Sequence, residues 1–400
     1  MTAAPSSRLP LLWSAQTITA MGDAIYQIAL VWLILDLTGN AAVTGLVAMS
    51  AYLPALVFGL WAGVFADRHH RLPIMLFSQI SQALTVAFIP LIIWKGWAYS
   101  GLVGILAFLR ASFGTLFPPA FNALVPSLVP KSRLVRANSL LSTATQLAYL
   151  LGPAAAGSLL QFLSLPWMFI LDCLSFLITF ALLLSLRSAE RARSGTAGPA
   201  PTWKDLLDGF RYFREKPALG FMMALTVINN LFIMGPAIVG MPVLVKQALQ
   251  GTAADYAFVE ALMALGMLIG SAVVYRYLHP LKSGTLLLVG MVLDGLTYSL
   301  FLWARSLPFV MVMIVIHGIG IPFIVISRTA LIQKHAASPY HGRLFSIVHL
   351  SVVGVTALSS ALTGIAAQVI DIHRVFFGIG IGAALCGVVG AFLPGLRSLE

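Results

Sequence analysis

Six acidic or basic residues stand out inside apolar stretches of this 400-residue sequence, where a charged side chain is unexpected. They are Asp23, Arg110, Asp172, Glu260, Asp294 and His317. An ionised side chain at bilayer depth costs at least about 2.5–3.5 kcal/mol on insertion scales, so each one needs a partner, water or a function. Asp23 and Arg110 have opposite charges and both fall about midway along their stretches. Two such groups can pair, and the acid can bind a proton when the pair separates.

The stretches that carry these residues are long enough to cross a membrane. Of the 400 residues, 59% are hydrophobic and only 9% are charged, against about 25% charged in a soluble domain. A spanning helix needs about 20 mostly apolar residues, which leaves room for about twelve in this chain. Charges, glycines and prolines bound the predicted spans. The spans lie near 10–36, 42–66, 72–94, 98–126, 136–161, 166–187, 217–245, 255–278, 284–304, 307–330, 342–370 and 375–396.

These spans predict an all-α integral membrane protein built from two six-helix bundles. The bundles cover residues 1–187 and 217–400, and residues 188–216 form a cytoplasmic linker with a short amphipathic helix. The two halves align at an offset of 207 residues, which places Asp23 over Asn230 and Arg110 over His317. Transporters are commonly built from two related halves with the substrate site between them.

The net charge of +11 is explained by the topology of a membrane protein rather than by binding to nucleic acid. Basic residues concentrate on cytoplasmic loops of membrane proteins. If the N-terminus is inside, eighteen of the 24 Lys and Arg residues fall on the cytoplasmic side. The asymmetry predicts that both termini are cytoplasmic, in an inner (plasma) membrane.

A short charged loop between the second and third spans is the strongest motif. It reads Gly63-Val-Phe-Ala-Asp67-Arg68-His-His-Arg71 and resembles the signature loop of the major facilitator superfamily. Gly63 permits close helix approach, and Asp67, Arg68 and Arg71 form a charge cluster that could act as a cytoplasmic gate. On charge alone the same residues could be a solvated loop that obeys the positive-inside rule.

Two further motifs support the same resemblance. Gly152-Pro153-Ala-Ala-Ala-Gly157 is similar to the family's antiporter motif, although Ala156 replaces one of its usual glycines and Ala148 an upstream one. The stretch from Gly22 to Gln27 resembles the branch of macrolide-type and enterobactin-type exporters. This resemblance implies twelve helices around a central cavity and proton-driven export of drug-like or siderophore-like molecules.

Asp23 and Arg110 are the predicted proton-coupling pair, and the alternative is a structural ion pair that never titrates. Polar residues at similar depth are predicted to line the substrate cavity. They are Gln27, Asn229, Asn230, Glu260 and His317. His317 could instead be a neutral helix-contact residue, and Glu260 could simply sit in water. Asp172 is predicted to be a capping or interface acid near a helix end, and Asp294 to make a buried hydrogen bond to a neighbour.

The leading prediction is a secondary active exporter of small amphipathic organic molecules that works by proton antiport and alternating access. Its expected partners are the substrate, protons and the lipid bilayer, with no nucleic acid, cofactor or metal, and a monomeric state. A lysolipid flippase or an uncoupled facilitator would keep the fold, and a non-transporting receptor or scaffold is the alternative from another class. An enzyme or a nucleotide-driven pump is not expected, because no metalloprotease, nucleophile-elbow or phosphate-loop motif is present.

Overall fold

The computed structural model describes residues 8–129, 134–186, 203–278, 281–337 and 340–397. Within these ranges the regular elements are helices, and no strand occurs. The predicted linker from residue 188 to 201 lies outside the described residues. Almost every long segment of this chain is apolar, and in lipid a single segment can satisfy all its backbone hydrogen bonds only as a helix.

Seven helices lie among the described residues of the first half. They are α1 (Arg8–Thr38), α2 (Ala41–Arg68), α3 (Arg71–Trp94), α4 (Ser100–Gly114), α5 (Phe117–Leu128), α6 (Leu134–Leu159) and α7 (Leu165–Leu184). In the second half, α8 (Trp203–Glu215) is followed by six longer helices. These are α9 (Pro217–Gly235), α10 (Ala253–Val273), α11 (Ser283–Ser299), α12 (Leu307–His335), α13 (His341–Val369) and α14 (Ile372–Phe392).

Eleven helical segments among the described residues are long and apolar enough to cross a membrane. They correspond to eleven of the predicted spans. The segment that falls outside this group is α6, which occupies the predicted span 136–161 and has a polar N-terminal part. A total of twelve therefore stays a prediction that depends on α6.

The fourth predicted span, 98–126, contains two successive helices, α4 and α5. Thr115 and Leu116 keep right-handed helical backbone angles, but the regular α-helical hydrogen bonding is interrupted there, and α5 begins at Phe117. Pro118 and Pro119 cause the break, because neither has a backbone N–H with which to continue the hydrogen-bond ladder. Leu116 N–H donates to the Phe113 carbonyl at 3.3 Å, which tightens the last turn of α4.

Helix α9 also departs from regular geometry. Beyond Gly235 it continues to Ala248 through two wide π-helical turns. The Ser359 hydroxyl from α13 accepts from the Gly235 amide at 2.7 Å and donates to the Leu231 carbonyl at 2.6 Å. These two backbone groups would pair directly in a regular α-helix, so a side chain has entered the helical ladder.

The described residues form two compact units. The first comprises residues 8–38 and 50–186, and the second comprises residues 39–49 and 203–397. In the first unit α1 packs on α6 and α7, and α3 packs on α4 and α7. In the second unit α11 packs on α12 and α14, α10 on α12, and α9 on α13. Buried aromatic residues fill both cores, among them Tyr26, Phe169 and Phe176 in the first and Tyr298, Phe301 and Phe376 in the second.

Candidate functional site

Arg110 of α4 lies between two carboxylates in the first unit. Its Nη2 is 2.5 Å from Asp23 Oδ1 on α1 and 3.1 Å from Asp172 Oδ2 on α7, and its Nε also donates to Asp172 Oδ2 at 3.3 Å. The side chain of Asp172 is fully buried, whereas that of Asp23 is 48% exposed. Of the two expected roles of Asp172, the capping role is wrong, because the residue lies well inside α7, whose N-cap is Ser164. The interface role takes the form of an ion pair with Arg110 of α4.

Aromatic side chains hold the guanidinium in place. The Arg110 Cζ lies 3.8 Å from the centroid of the Tyr26 ring and 5.2 Å from that of Phe176. A cation over an aromatic face is attracted by the ring quadrupole, and the attraction grows when water is excluded. Tyr26 is 2% exposed, so this contact is dry. Arg110 is thus fixed by its ring contacts and by Asp172, and it meets Asp23 at the edge of the buried region.

Gly22 makes this arrangement possible. A Cβ atom at this position would collide with the Ser175 hydroxyl and with Asp172 Oδ1. The missing side chain lets α1 approach α7 closely. The neighbouring Asp23 is thereby brought to the same guanidinium as Asp172.

The cluster contains one more negative group than positive groups when both acids are ionised. Arg110 keeps its proton at any physiological pH. The cluster can therefore become neutral by binding one proton. Asp23 is the carboxylate that water can reach, and Asp172 has no exposed surface.

A cavity of about 240 Å³ opens beside Asp23 and Arg110. Gln16, Gln79 and Gln82 line it as well. The Gln79 amide is buried, and neither its nitrogen nor its oxygen has a hydrogen-bond partner among the described residues. A second cavity of about 440 Å³ shares Gln16 with the first and continues along α5 and α6. An ionisable pair thus faces a polar space that a water molecule or a small molecule can enter.

The predicted cavity residues differ in their accessibility. Gln27 is partly exposed, one turn from Asp23, and its amide nitrogen has no partner within the described part of the chain. In the second unit Asn230 and Glu260 are partly exposed, whereas Asn229 and His317 are buried at 2% and 1% exposure. His317 lies against Asp294, with Nε2 3.4 Å from Oδ1. His317 of α12 thus contacts α11 in a buried position, and its role stays a prediction.

The antiporter motif lies in α6 without interrupting it. A Cβ on Gly152 would collide with the side chain of Ala24, the residue that follows Asp23. The motif glycine therefore brings α6 against α1 next to the ion-pair cluster. Pro153 and Gly157 lie within the same continuous helix.

The gate motif is described only in part. Helix α2 contains Gly63 and ends at Arg68, and α3 begins at Arg71. The side chain of Asp67 lies outside the described residues. Arg68 is exposed at the end of its helix, so the gating role assigned to this cluster stays a prediction.

Sequence reasoning missed Gly22, Tyr26, Gln79 and Gln82, and it misplaced Asp172. One signal was available for Asp172, because it is an acid within an otherwise apolar helix of a chain that has an arginine inside another apolar helix. Hydropathy offered no comparable signal for the glutamines. Within the described residues, no group of three or more His, Cys, Asp or Glu side chains has a geometry that could hold a metal ion.

Long apolar helices, a buried ion-pair cluster and a polar cavity are together the features of a multi-pass membrane transporter. Comparison with protein families agrees, because residues 12–336 match the Major Facilitator Superfamily. This chain belongs to that family, and its substrate is therefore a small molecule. The resemblance inferred from the motifs is confirmed.

Characterised relatives span nearly the whole chain. Macrolide efflux protein A of Streptococcus pyogenes is 26% identical, with 97% of this chain and 96% of the relative covered. The multidrug efflux pump Tap of Mycolicibacterium fortuitum is 26% identical, with 98% and 97% covered. The staphyloferrin A transporter of Staphylococcus aureus is 25% identical, with 95% of each covered. These relatives support the exporter branch indicated by the sequence motifs.

Solved structures show the same fold at low sequence identity. A mutant form of the peptide transporter POT superposes with a TM-score of 0.77 at 14% identity, over 98% of this chain and 96% of that chain. A bacterial homologue of the iron transporter ferroportin, in an inward-facing state, gives a TM-score of 0.74 at 15% identity, over 96% and 98%.

Proposed function

We propose that this protein is a proton-coupled exporter of small amphipathic organic molecules that works by alternating access. It resides in the inner (plasma) membrane as a monomer with twelve spanning helices and both termini in the cytoplasm. The names of the relatives support drug-like or siderophore-like substrates. The observation that carries the proposal is the position of Arg110 between a buried and an accessible carboxylate.

The proposed coupling step takes place at Asp23. Asp172 keeps the Arg110 guanidinium in position through its two hydrogen bonds. When Asp23 is ionised it pairs with Arg110, and when it binds a proton that attraction is lost and Arg110 keeps only Asp172. Protonation thus changes how firmly α1 is tied to α4. A conformational change can follow from this difference because the two protonation states favour different helix arrangements.

The proposed substrate site uses the polar groups beside this pair. The unpartnered Gln79 amide is positioned to hydrogen-bond a molecule in the 240 Å³ cavity. Buried polar groups without partners are costly, so a ligand that satisfies this amide gains affinity. Gln27, Asn229, Asn230, Glu260 and His317 stay predicted substrate contacts. Gly63, Asp67, Arg68 and Arg71 stay a predicted gate.

The test is a transport assay in proteoliposomes that compares the unmodified protein with Asp23→Asn. A pH gradient is imposed, and proton movement and substrate movement are both followed for macrolides, lipophilic cations, siderophores and lysolipids. Asp371→Asn is the matched control because it neutralises an exposed acid that lies between two spans.

We expect substrate-dependent proton flux in the unmodified protein and in Asp371→Asn. In Asp23→Asn the rate of this proton flux should fall at least tenfold, which corresponds to about 1.4 kcal/mol or more in the activation free energy of the coupled step. Substrate movement without proton flux in all three proteins would show an uncoupled facilitator. Movement of lysolipids alone would show a flippase.

A further inference from the structure

A second buried acid lies in the other unit, where α10, α11 and α12 meet. Asp294 of α11 is 2% exposed and His317 of α12 is 1% exposed, and the two side chains approach within 3.4 Å. The Tyr298 ring stacks on the imidazole with a centroid distance of 4.0 Å and an interplanar angle of 8°. Gly318 allows the close approach of α10, because a Cβ there would collide with the Met263 carbonyl. The site is therefore closed on several sides by packed side chains and backbone.

Thr297 of α11 is the polar neighbour of His317 Nδ1. Its hydroxyl lies 2.8 Å from the Leu293 carbonyl and 2.9 Å from the Asp294 carbonyl, and the same oxygen is 2.8 Å from His317 Nδ1. When the hydroxyl donates to a backbone carbonyl, Nδ1 carries the ring proton; when it donates to Nδ1, the neutral ring carries its proton on Nε2.

One additional proton stabilises the pair in either tautomer. With Nδ1 protonated, the lone pair of Nε2 faces Asp294 Oδ1 at 3.4 Å, and an ionised carboxylate there would place two acceptors in contact. With Nε2 protonated, the ring can donate to Oδ1, but an ionised carboxylate beside a neutral ring leaves a net charge in a buried site. Asp294 Oδ1 has no hydrogen-bond partner within the described residues. One proton, on the imidazole or on the carboxyl, removes the net negative charge of the pair.

We propose that Asp294 and His317 form a second proton-binding site, which exchanges one proton during the transport cycle. Release of that proton leaves an ionised carboxylate beside a neutral imidazole, a buried arrangement that is costly in the packing seen here. The unprotonated state therefore favours a different arrangement of α11 and α12 that admits water. This inference rests on the proposed function, because it assigns a second proton to the same transport cycle.

Two other titratable side chains belong to the helices packed around the pair. Glu260 of α10 is partly exposed. Tyr298 of α11 is buried, and its hydroxyl has no hydrogen-bond partner among the residues described. A water molecule that enters the site can hydrogen-bond to this hydroxyl and serve as a first step in a route for the proton.

A first experiment observes the site in the unmodified protein. Nitrogen NMR of histidine-labelled protein in detergent distinguishes the Nδ1–H tautomer from the imidazolium, and His317→Gln assigns the signal. Infrared difference spectra of the unmodified protein and Asp294→Asn show whether Asp294 is protonated. We expect at least one of these signals to change with pH and on addition of a transported macrolide or lipophilic cation. Signals that stay constant over the pH range in which the protein is folded would show a permanent structural pair and overturn the proposal.

A second experiment counts protons with a pH-sensitive dye when substrate is added to purified protein. Asp23→Asn, Asp294→Asn and the double variant are compared, with gel filtration as the check of folding. We expect each single variant to retain about half of the substrate-induced proton release and the double variant to lose it, because each site contributes one proton.

The outcomes separate the two proposals. If Asp23→Asn alone abolishes release and Asp294→Asn has no effect, the second site is wrong and the proposed function stands. If only Asp294→Asn reduces release, the second site stands and the role of Asp23 is wrong. If no variant alters it, both assignments are wrong.

Discussion

Asp172 and Arg110 are joined by two hydrogen bonds to one carboxylate oxygen, from Nε at 3.3 Å and from Nη2 at 3.1 Å. The Asp172 side chain is fully buried and its other oxygen, Oδ1, has no hydrogen-bond partner within the described part of the chain. Asp23 contacts the same Nη2 but is 48% exposed. The two acids therefore differ in environment although they share one cation, and we expect them to differ in function.

We predict that Asp172→Asn destabilises the protein more than Asp23→Asn. Removing one partner of a buried ion pair costs about 3–5 kcal/mol because the remaining charge is left uncompensated, whereas an exposed pair contributes about 0–1 kcal/mol. The measurement is thermal unfolding of both variants in the same detergent. Equal unfolding midpoints for the two variants would contradict the prediction, because they would show that the buried acid contributes no more to stability than the exposed one.

We predict that Gly22→Ala weakens both stability and transport. The added methyl group meets the Ser175 hydroxyl and Asp172 Oδ1, and overpacking of a close contact costs about 1–3 kcal/mol. The displaced α1 also moves Asp23 away from Arg110. Gly59→Ala is the control, because a Cβ at Gly59 has no atom within 4 Å. The measurements are the unfolding midpoint and the substrate efflux rate of both variants. A Gly22→Ala protein with the midpoint and efflux rate of the unmodified protein would refute the tight contact between α1 and α7.

We predict that Ser359→Ala and Ser360→Ala differ, although the two serines are adjacent and both fully buried. Ser359 bridges the Leu231 carbonyl and the Gly235 amide, so its loss leaves both groups unpaired at a cost of about 1–3 kcal/mol. The Ser360 hydroxyl has no partner among the described residues, and its removal should be neutral or slightly stabilising. Hydrogen exchange at the Gly235 amide, together with thermal unfolding, checks this prediction. Faster exchange in Ser360→Ala than in Ser359→Ala would contradict it.

We predict a pH-dependent contribution from Asp371, the N-cap of α14. Its carboxylate accepts from the His373 amide at 3.0 Å and from the Arg374 amide at 3.4 Å. Burial acts to raise the pKa of Asp371, but the charge of His373 and these hydrogen bonds outweigh it and lower the pKa below the ordinary 3.8. The stabilisation of the folded protein by Asp371 is therefore complete at pH values above the pKa of this residue in the unfolded chain. It is lost as the pH falls through the lower pKa of the folded state.

Two substitutions of Asp371 separate capping from charge. Asp371→Ala should reduce the free energy of unfolding by about 1 kcal/mol at neutral pH, because the cap is lost. Asp371→Asn retains a capping oxygen but cannot titrate. The difference in the free energy of unfolding between the unmodified protein and this variant should therefore vanish in acid. Unfolding midpoints measured from neutral pH to about pH 3 provide the test. An advantage that persists at the acid end would show that the carboxylate charge is not involved.

Much of the architecture could be predicted from the chain itself. The family could be inferred from the apolar stretches, the basic loops and the motif around Gly63. Lipid allows few backbone structures, and the distribution of Lys and Arg residues predicts how the helices are oriented across the membrane. The exact position of the interruption, at Thr115 and Leu116, could not be read from the chain, although Pro118 and Pro119 were visible. Proline is tolerated inside many membrane helices, so its presence alone does not say where a helix ends.

The sequence by itself determined that this is a helical membrane protein of the Major Facilitator Superfamily, with Asp23 and Arg110 inside apolar segments. Tertiary structure alone decided that Asp172 shares Arg110, that His317 lies against Asp294, and that Ser359 enters the ladder of α9. The physical reason is that a membrane helix is apolar on the faces it turns to lipid and to its neighbours alike. Hydropathy therefore locates a residue along the helix axis but does not show which neighbour it faces, and only the packing of helices against one another settles that.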